Sequence, residues 1–155
     1  MKNIIVLGCG RVGRTICEDL SENFDVSVAD ISIKNLEKLK SQKITKKNFD
    51  ISNKSELIDN IKNFDLVICA VPGFMGFSTL KILIEEKKNV VDISFFPENC
   101  LELADLAKKN NVSAIVDAGV APGLSNLILG HYDSLYKVNY YACYVGGLPV
   151  IKNQP

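Results

Sequence analysis

The sequence predicts an α/β fold of the doubly wound type, and three observations support this. Short apolar runs alternate with helix-compatible segments along 155 residues, which is enough chain for one domain with a substantial core. The run at 66–71 is apolar throughout, as expected for a strand buried on both faces of a parallel sheet. The first run, at 4–7, leads directly into a glycine-rich turn. Together they predict a parallel sheet with right-handed crossovers and helices on both faces.

The predicted elements follow the order strand, helix, strand throughout. Strands are expected at 3–7, 26–29, 44–49, 65–71, 89–93 and 112–116. Helices are expected at 12–22, 33–41, 54–62, 76–87, 99–110 and 124–134.

The glycine turn reads Gly8-Cys9-Gly10-Arg11-Val12-Gly13. A strand followed by Gly-x-Gly-x-x-Gly and a helix is the Rossmann pattern for a dinucleotide pyrophosphate, which binds at the helix N-terminus. Gly8, Gly10, Arg11, Val12 and Gly13 are therefore candidate cofactor-binding residues. The alternative is a glycine turn in an ordinary β-α unit.

The second strand ends on Asp30, 20 residues after Gly10 (30 − 10 = 20), where a ribose-binding acid is expected. A carboxylate there binds the 2′-hydroxyl of NAD and repels the 2′-phosphate of NADP, so NAD is favoured and NADP remains possible. Asp50 ends the third strand, where it either reaches the adenine edge or serves as a loop acid. Ala70, Val71 and Pro72 end the fourth strand, where small residues allow the nicotinamide ribose to approach the backbone.

Two further strand ends carry carboxylates, Asp92 and Asp117. Facing the substrate side of the nicotinamide, they are candidate catalytic residues that bind an ammonium or accept a proton; the alternative is that each caps its loop. Gly123, Ser125 and Asn126 follow in a Pro-Gly turn, where a helix start offers a cradle for a substrate carboxylate.

Composition excludes several classes of function. The formal net charge is zero, so no electrostatic surface for nucleic acid is expected, and no apolar run is long enough to cross a membrane. Five cysteines without a Cys-x-x-Cys pair indicate neither a disulfide framework nor a zinc site, and no metal is expected. They are typical of a reduced, cytoplasmic protein.

The last stretch differs from the rest. Residues 138–145 are strongly β-prone. We expect a nucleotide-binding domain at 1–136, and at 137–155 either the first strand of a second, truncated domain or an antiparallel edge strand. An unpaired strand at 138–146 is also a possible homodimer contact.

These motifs resemble those of the saccharopine dehydrogenase-like superfamily. The resemblance rests on the glycine turn together with the segments at 70–77, 91–95, 117–126 and 144–149. Within the superfamily the chain is most similar to the lysine 6-dehydrogenase branch. Saccharopine reductases usually carry aspartate where this chain has Ala121, which favours that branch.

The resemblance implies oxidation of a CH–NH or CH–NH2 group of an amino acid by hydride transfer to nicotinamide. Members of the superfamily are more than twice this long, so we expect the isolated chain to bind cofactor without full turnover. A regulatory nucleotide-sensing domain of the potassium-transport type is the competing hypothesis, because such domains carry a similar glycine turn and strand-end aspartate.

Overall fold

The structure, a computed structural model, describes residues 3–146. Its strands are β1 Asn3–Leu7, β2 Asp25–Asp30, β3 Thr45–Asn48, β4 Leu66–Cys69, β5 Asn89–Asp92 and β6 Ala114–Ile115. Its helices are α1 Arg11–Leu20, α2 Ile33–Glu37, α3 Lys54–Ile61, α4 Gly73–Glu85, α5 Ala104–Asn110 and α6 Leu124–Leu135, with a 3-10 turn at Cys100–Leu103. All six predicted strands are present. Helix α4 begins at Gly73 rather than at 76, and α2 is shorter than predicted.

The strands form one parallel sheet in the order β3-β2-β1-β4-β5-β6. The chain therefore builds outwards from β1 in one direction, then crosses back to continue from β4 in the other. The carboxyl ends of β1 and β4 lie side by side where the direction reverses. In open α/β sheets, this crevice is the usual position of a ligand.

Alternate residues of β1 belong to two separate apolar clusters, one on each face of the sheet. Ile5 and Leu7 pack with residues of α3 and α4, such as Leu57 and Leu80. The other face of β1 packs with residues of α1 and α2, among them Cys17 and Leu36. Helices thus cover both faces of the sheet, which confirms the predicted doubly wound fold.

The chain divides into two compact units, one ending at Asp117 and the other beginning at Ala118. All six strands and α1 to α5 lie in the first unit, and α6 lies in the second. The predicted domain boundary, at 136/137, differs from this division because it lies after α6, inside the second unit.

The strand predicted at 138–145 is not observed, and these residues have neither helical nor strand structure. A β-prone sequence becomes a strand only when a neighbouring strand supplies hydrogen bonds, and the described residues provide none for this segment. The remaining residues of the predicted 137–155 segment, from 147 onwards, lie outside the described part.

Between residues 3 and 146, no helix is both long and apolar enough to span a membrane.

The cysteines are predicted to differ in the rate at which their thiols react. Burial raises the pKa of Cys17 to about 12 and that of Cys69 well above its usual value, whereas Cys143 is exposed. Since the thiolate is the reactive form, we expect Cys143 to react first with a thiol reagent at pH 8. Replacing Cys143→Ser should remove the fast phase, and the unfolded protein should show five reactive thiols. A fast phase that survives this substitution would contradict the assignment.

Candidate cofactor-binding site

A cavity of about 740 Å³ lies at the carboxyl ends of the first four strands, in the crevice where β1 and β4 meet. This volume is typical of small-molecule and cofactor sites. Its lining includes all ten predicted cofactor-binding residues, and every lining residue belongs to the first unit. The lining comprises Gly8, Gly10, Arg11, Val12, Gly13, Asp30, Ile31, Asn35, Asp50, Ile51, Ser52, Ala70, Val71, Pro72, Phe74 and Met75.

The three glycines of the turn meet different constraints. Gly8 has φ +102, and a Cβ atom there would lie 2.5 Å from the Ala70 carbonyl oxygen. A Cβ on Gly13 would overlap the carbonyl oxygen of Gly8, so helix and turn pack backbone against backbone. A Cβ on Gly10 would meet no atom within 4 Å. Gly8 and Gly13 thus serve the fold, whereas Gly10 leaves open space on the cavity wall.

Helix α1 directs its N-terminus at this open space. Because a helical N–H donates four residues back, those of Arg11, Val12 and Gly13 have no carbonyl partner inside the helix. The first intrahelical bond runs from Arg14 N–H to the Gly10 carbonyl, at 3.0 Å. No acidic side chain occupies the first turn. Free donors, the positive end of the helix dipole and the Arg11 side chain together favour an anion here.

Asp30 holds the turn in place as well as lining the cavity. Its Oδ2 accepts a hydrogen bond of 2.7 Å from the Cys9 N–H, and its Oδ1 accepts one of 2.7 Å from the Ser32 N–H. The Asn35 side-chain amide lies 3.4 Å from both oxygens. The carboxylate is only 9% exposed. It therefore fixes the backbone of the glycine turn and of the loop after β2 with charge-assisted bonds.

The same tripeptide, Asp-Ile-Ser, follows three strands and folds in the same way each time. In the turns at 30–32, 50–52 and 92–94, the aspartate Oδ1 accepts from the serine N–H at 2.7, 2.9 and 2.8 Å. In the second and third turns the serine hydroxyl also donates to Oδ1, at 2.7 Å in both. The aspartates of the first two turns line the cavity, and the third lies beneath the surface.

At the second of these turns, the hydroxyl and N–H of Ser52 hold the pKa of Asp50 below its usual value. Asp50 is thus a charged acceptor at the β3 side of the cavity. Its own N–H is 3.2 Å from the Glu56 side chain near the start of α3, which fixes the loop.

The opposite end of the cavity is apolar. Ala70 and Val71 follow β4, Pro72 precedes α4, and Phe74 and Met75 lie in the first turn of that helix. Phe74 is 84% exposed in this structure. An exposed aromatic ring on a cavity wall is a surface that a flat ligand ring can cover.

Six residues that line the cavity were not predicted from the sequence. Each lies within five positions of a predicted one, and their common signal is sequence proximity to a strand end rather than side-chain type. They are Ile31, Asn35, Ile51, Ser52, Phe74 and Met75.

Asp92 does not face the cavity, contrary to the expectation for a catalytic residue in contact with substrate. It is 0% exposed, because β5 ends inside the protein and the turn through Ser94 folds over it. Burial raises its pKa, the nearby Cys69 thiol and the hydrogen bonds from Ser94 oppose that rise, and the charge of Asp117 adds to it. Asp117 itself is exposed after β6, with φ +54, and its catalytic role stays a prediction.

The predicted substrate residues lie in the second unit, at the start of α6. Gly123 has φ 129, and its N–H donates to the Asn126 Oδ1 at 3.2 Å. The Ser125 hydroxyl donates to the same oxygen at 3.2 Å. Their role in substrate binding stays a prediction.

The proposed carboxylate cradle at this helix start is, however, not available. The N–H groups of Leu124 and Ser125 donate to the carbonyls of Gly119 and Val120, at 2.9 and 3.0 Å. The Asn126 N–H donates to the Gly123 carbonyl at 3.0 Å. Since the preceding loop already satisfies these donors, they are not free to bind an anion.

The strand order, the glycine turn and the acid after β2 define a Rossmann-type dinucleotide-binding domain. Residues 4–115 match the family model described as the saccharopine dehydrogenase NADP binding domain. The chain belongs to this family, and its cofactor is a nicotinamide dinucleotide, NAD or NADP. The match supports an oxidoreductase domain rather than the regulatory domain of the potassium-transport type.

Two relatives are the saccharopine dehydrogenases [NADP(+), L-glutamate-forming] of Pyricularia oryzae and Saccharomyces cerevisiae. Each is 27% identical over 156 residues, which covers 96% of this chain and 35% of the relative. The chain therefore spans about a third of the length of these curated relatives.

Solved structures show the same fold. The apo saccharopine dehydrogenase (L-Glu forming) from Saccharomyces cerevisiae matches with a TM-score of 0.75 and 23% identity, over 86% of this chain and 31% of that one. The WlbA dehydrogenase from Chromobacterium violaceum, solved with NADH and UDP-GlcNAcA, matches with a TM-score of 0.59 and 17% identity, over 74% of this chain and 34% of that one.

Proposed function

We propose that this chain is the cofactor-binding part of an oxidoreductase acting on the CH–NH or CH–NH2 group of an amino acid. The observation that carries the cofactor part is the cavity itself. One wall combines the free N–H groups of α1 with the open space above Gly10, and a buried carboxylate, Asp30, stands beside it. A pyrophosphate and its adjoining ribose require these three features.

We assign a role to each part of the cavity lining. Gly10, Arg11 and Val12 would hold the pyrophosphate, and Asp30 the ribose on the β2 side. Asp50 would face the adenine. The remaining half of the dinucleotide would then lie on the β4 side, against Ala70, Val71 and Pro72. A cofactor held there would supply the hydride acceptor for oxidation at the carbon that bears the substrate nitrogen.

We further propose a preference for NAD over NADP, although the family description and the two relatives name NADP. The 2′-phosphate would stand next to Asp30, and the next cavity residue is the apolar Ile31. Repulsion by the Asp30 carboxylate is expected to weaken NADP binding about tenfold relative to NAD.

Adding a cation at this position tests the preference. The variant Ile31→Arg should strengthen NADPH binding about tenfold and leave NADH binding within about twofold. Ile33→Arg is the matched control, because Ile33 is also exposed (57%, against 66% for Ile31) but does not line the cavity. Equal affinities for NADH and NADPH in the wild type would contradict the preference.

Asp117, the last residue of the first unit, would be a catalytic residue. In the second unit, Gly123, Ser125 and Asn126 would contact the substrate, and Ala121 favours a primary amine over saccharopine. The segment 138–146 would pair with a second copy, because Tyr140 and Tyr144 are 82% and 94% exposed. The free cysteines suit a cytoplasmic location.

A melting experiment with NAD and NADP added separately tests the cofactor assignment. Ligand at a hundredfold excess over Kd stabilises the fold by about 2.7 kcal/mol, which raises the midpoint by several degrees. We expect a larger increase with NAD than with NADP. An unchanged midpoint with both would overturn the assignment.

A further inference from the structure

The third Asp-Ile-Ser turn has no contact with the cavity, and one of its atoms lacks a partner. Asp92 Oδ2 is buried, and no donor among residues 3–146 meets it in hydrogen-bond geometry. Its other oxygen accepts two bonds from Ser94, which is itself buried. A buried carboxylate with an unused oxygen costs free energy, so its presence requires an explanation.

The turn is packed directly against the start of α4. A Cβ on Gly76 would overlap the Ser94 hydroxyl and lie 2.6 Å from the Phe96 ring. A Cβ on Gly73 would overlap the carbonyl of Phe95. The loop after β5 and the first turns of α4 therefore touch at two points where only glycine fits, and they cannot shift independently.

The first turn of α4 also forms part of the cavity wall. Phe74 and Met75 line the cavity and lie between Gly73 and Gly76 in the sequence. A chain of direct contacts thus runs from Asp92 through Ser94 to Gly76 and so to this wall. Further support comes from the edge-to-face contact of Phe77 with Phe96, at 5.8 Å, and from the Ile93 N–H bond to the Cys69 carbonyl, at 2.9 Å.

We propose that Asp92 is a positioning residue, which through Ser94 seats the first turn of α4 and so sets the wall against which the nicotinamide half of the cofactor binds. This inference rests on the proposed function, because it assigns the nicotinamide to the β4 side. The adenosine half lies on the far side of the glycine turn, at Asp30 and Asp50. Disturbing the third turn should therefore affect one half of the dinucleotide only.

Two ligands separate this role from a general loss of structure. NADH fills both ends of the cavity, whereas ADP-ribose lacks the nicotinamide ring. Ser94→Ala removes the hydroxyl that joins Asp92 to Gly76 and leaves the N–H bond. We expect about tenfold weaker NADH binding and ADP-ribose binding within about twofold of the wild type, measured by titration calorimetry.

Ser52→Ala is the matched comparison, because Ser52 makes the same pair of bonds to Asp50 at the adenosine end. It should weaken NADH and ADP-ribose by similar factors. Asp92→Asn retains an acceptor for Ser94 and should bind NADH like the wild type, whereas Asp92→Ala should resemble Ser94→Ala. The Ser94→Ala measurement tests the proposal even if the Asp92→Ala variant does not fold.

The proposal is overturned where Ser94→Ala weakens both ligands equally or leaves both unchanged. A wild-type chain that binds neither NADH nor ADP-ribose overturns the proposed function itself, and with it this inference. The proposal is supported if Ser94→Ala weakens the binding of NADH but not of ADP-ribose, and if Asp92→Asn binds NADH like the wild type.

Discussion

Replacing Gly8→Ala is expected to lower the free energy of unfolding by about 3 kcal/mol or more. The residue has φ +102, which an L side chain adopts only with strain, and its Cβ would lie 2.5 Å from the backbone oxygen of Ala70. Because a backbone carbonyl on a central strand end cannot rotate away, the overlap adds to the strain. The loss is a large fraction of the stability of a typical domain. Chemical denaturation followed by circular dichroism measures it.

Gly130→Ala provides the control for this substitution. Gly130 lies inside α6, and a Cβ there would meet no atom within 4 Å. Alanine has the higher helix propensity, so this variant should gain up to about 1 kcal/mol. An unfolding free energy for Gly8→Ala within about 1 kcal/mol of the wild type would show that the turn is not packed as described. We choose this threshold because substitutions at ordinary surface positions usually change stability by less than that.

Replacing Gly10→Ala is expected to have the opposite profile, with stability retained and cofactor binding lost. Its φ of −68 suits alanine, and the added methyl group meets no protein atom within 4 Å. The methyl group would instead occupy the space in which a pyrophosphate approaches the backbone. Overpacking of this kind costs about 2 kcal/mol, which corresponds to an NADH Kd about 30-fold weaker.

The measurement for Gly10→Ala pairs a fluorescence titration with NADH and a denaturation curve. Gly130→Ala again serves as control, since it should leave the NADH affinity unchanged. Wild-type affinity in Gly10→Ala would mean that the dinucleotide does not pass over this residue. A large loss of stability would mean that the space at Gly10 is not open.

Local sequence signals predicted the sheet and most of the cavity. The apolar run before Gly8 and the spacing from Gly10 to Asp30 are properties of one βαβ unit, so they are visible without tertiary information. The ten predicted cofactor residues line one cavity because parallel strands bring their carboxyl ends to the same edge.

The features that sequence could not predict depend on contacts between distant segments. Asp30 and Asp92 precede the same Ile-Ser pair, yet Asp30 lines the cavity and Asp92 does not. The turn after Asp92 packs under Gly76 instead, and Asp92 is fully buried there. At α6, the loop carbonyls of Gly119 and Val120 occupy the helix donors. Among residues 3–146, the β-prone segment at 138–145 has no neighbouring strand, and the composition of the segment could not show this.

The central claim is that the cavity at the β1–β4 crevice binds a nicotinamide dinucleotide, and calorimetric titration of the chain with NADH tests it most directly. We expect saturable binding of one NADH per chain, weaker binding of NADPH, and about 30-fold weaker NADH binding in the folded Gly10→Ala variant. Saturable binding that is identical in the wild type and Gly10→Ala, or no binding of either dinucleotide by the wild type, would contradict the claim.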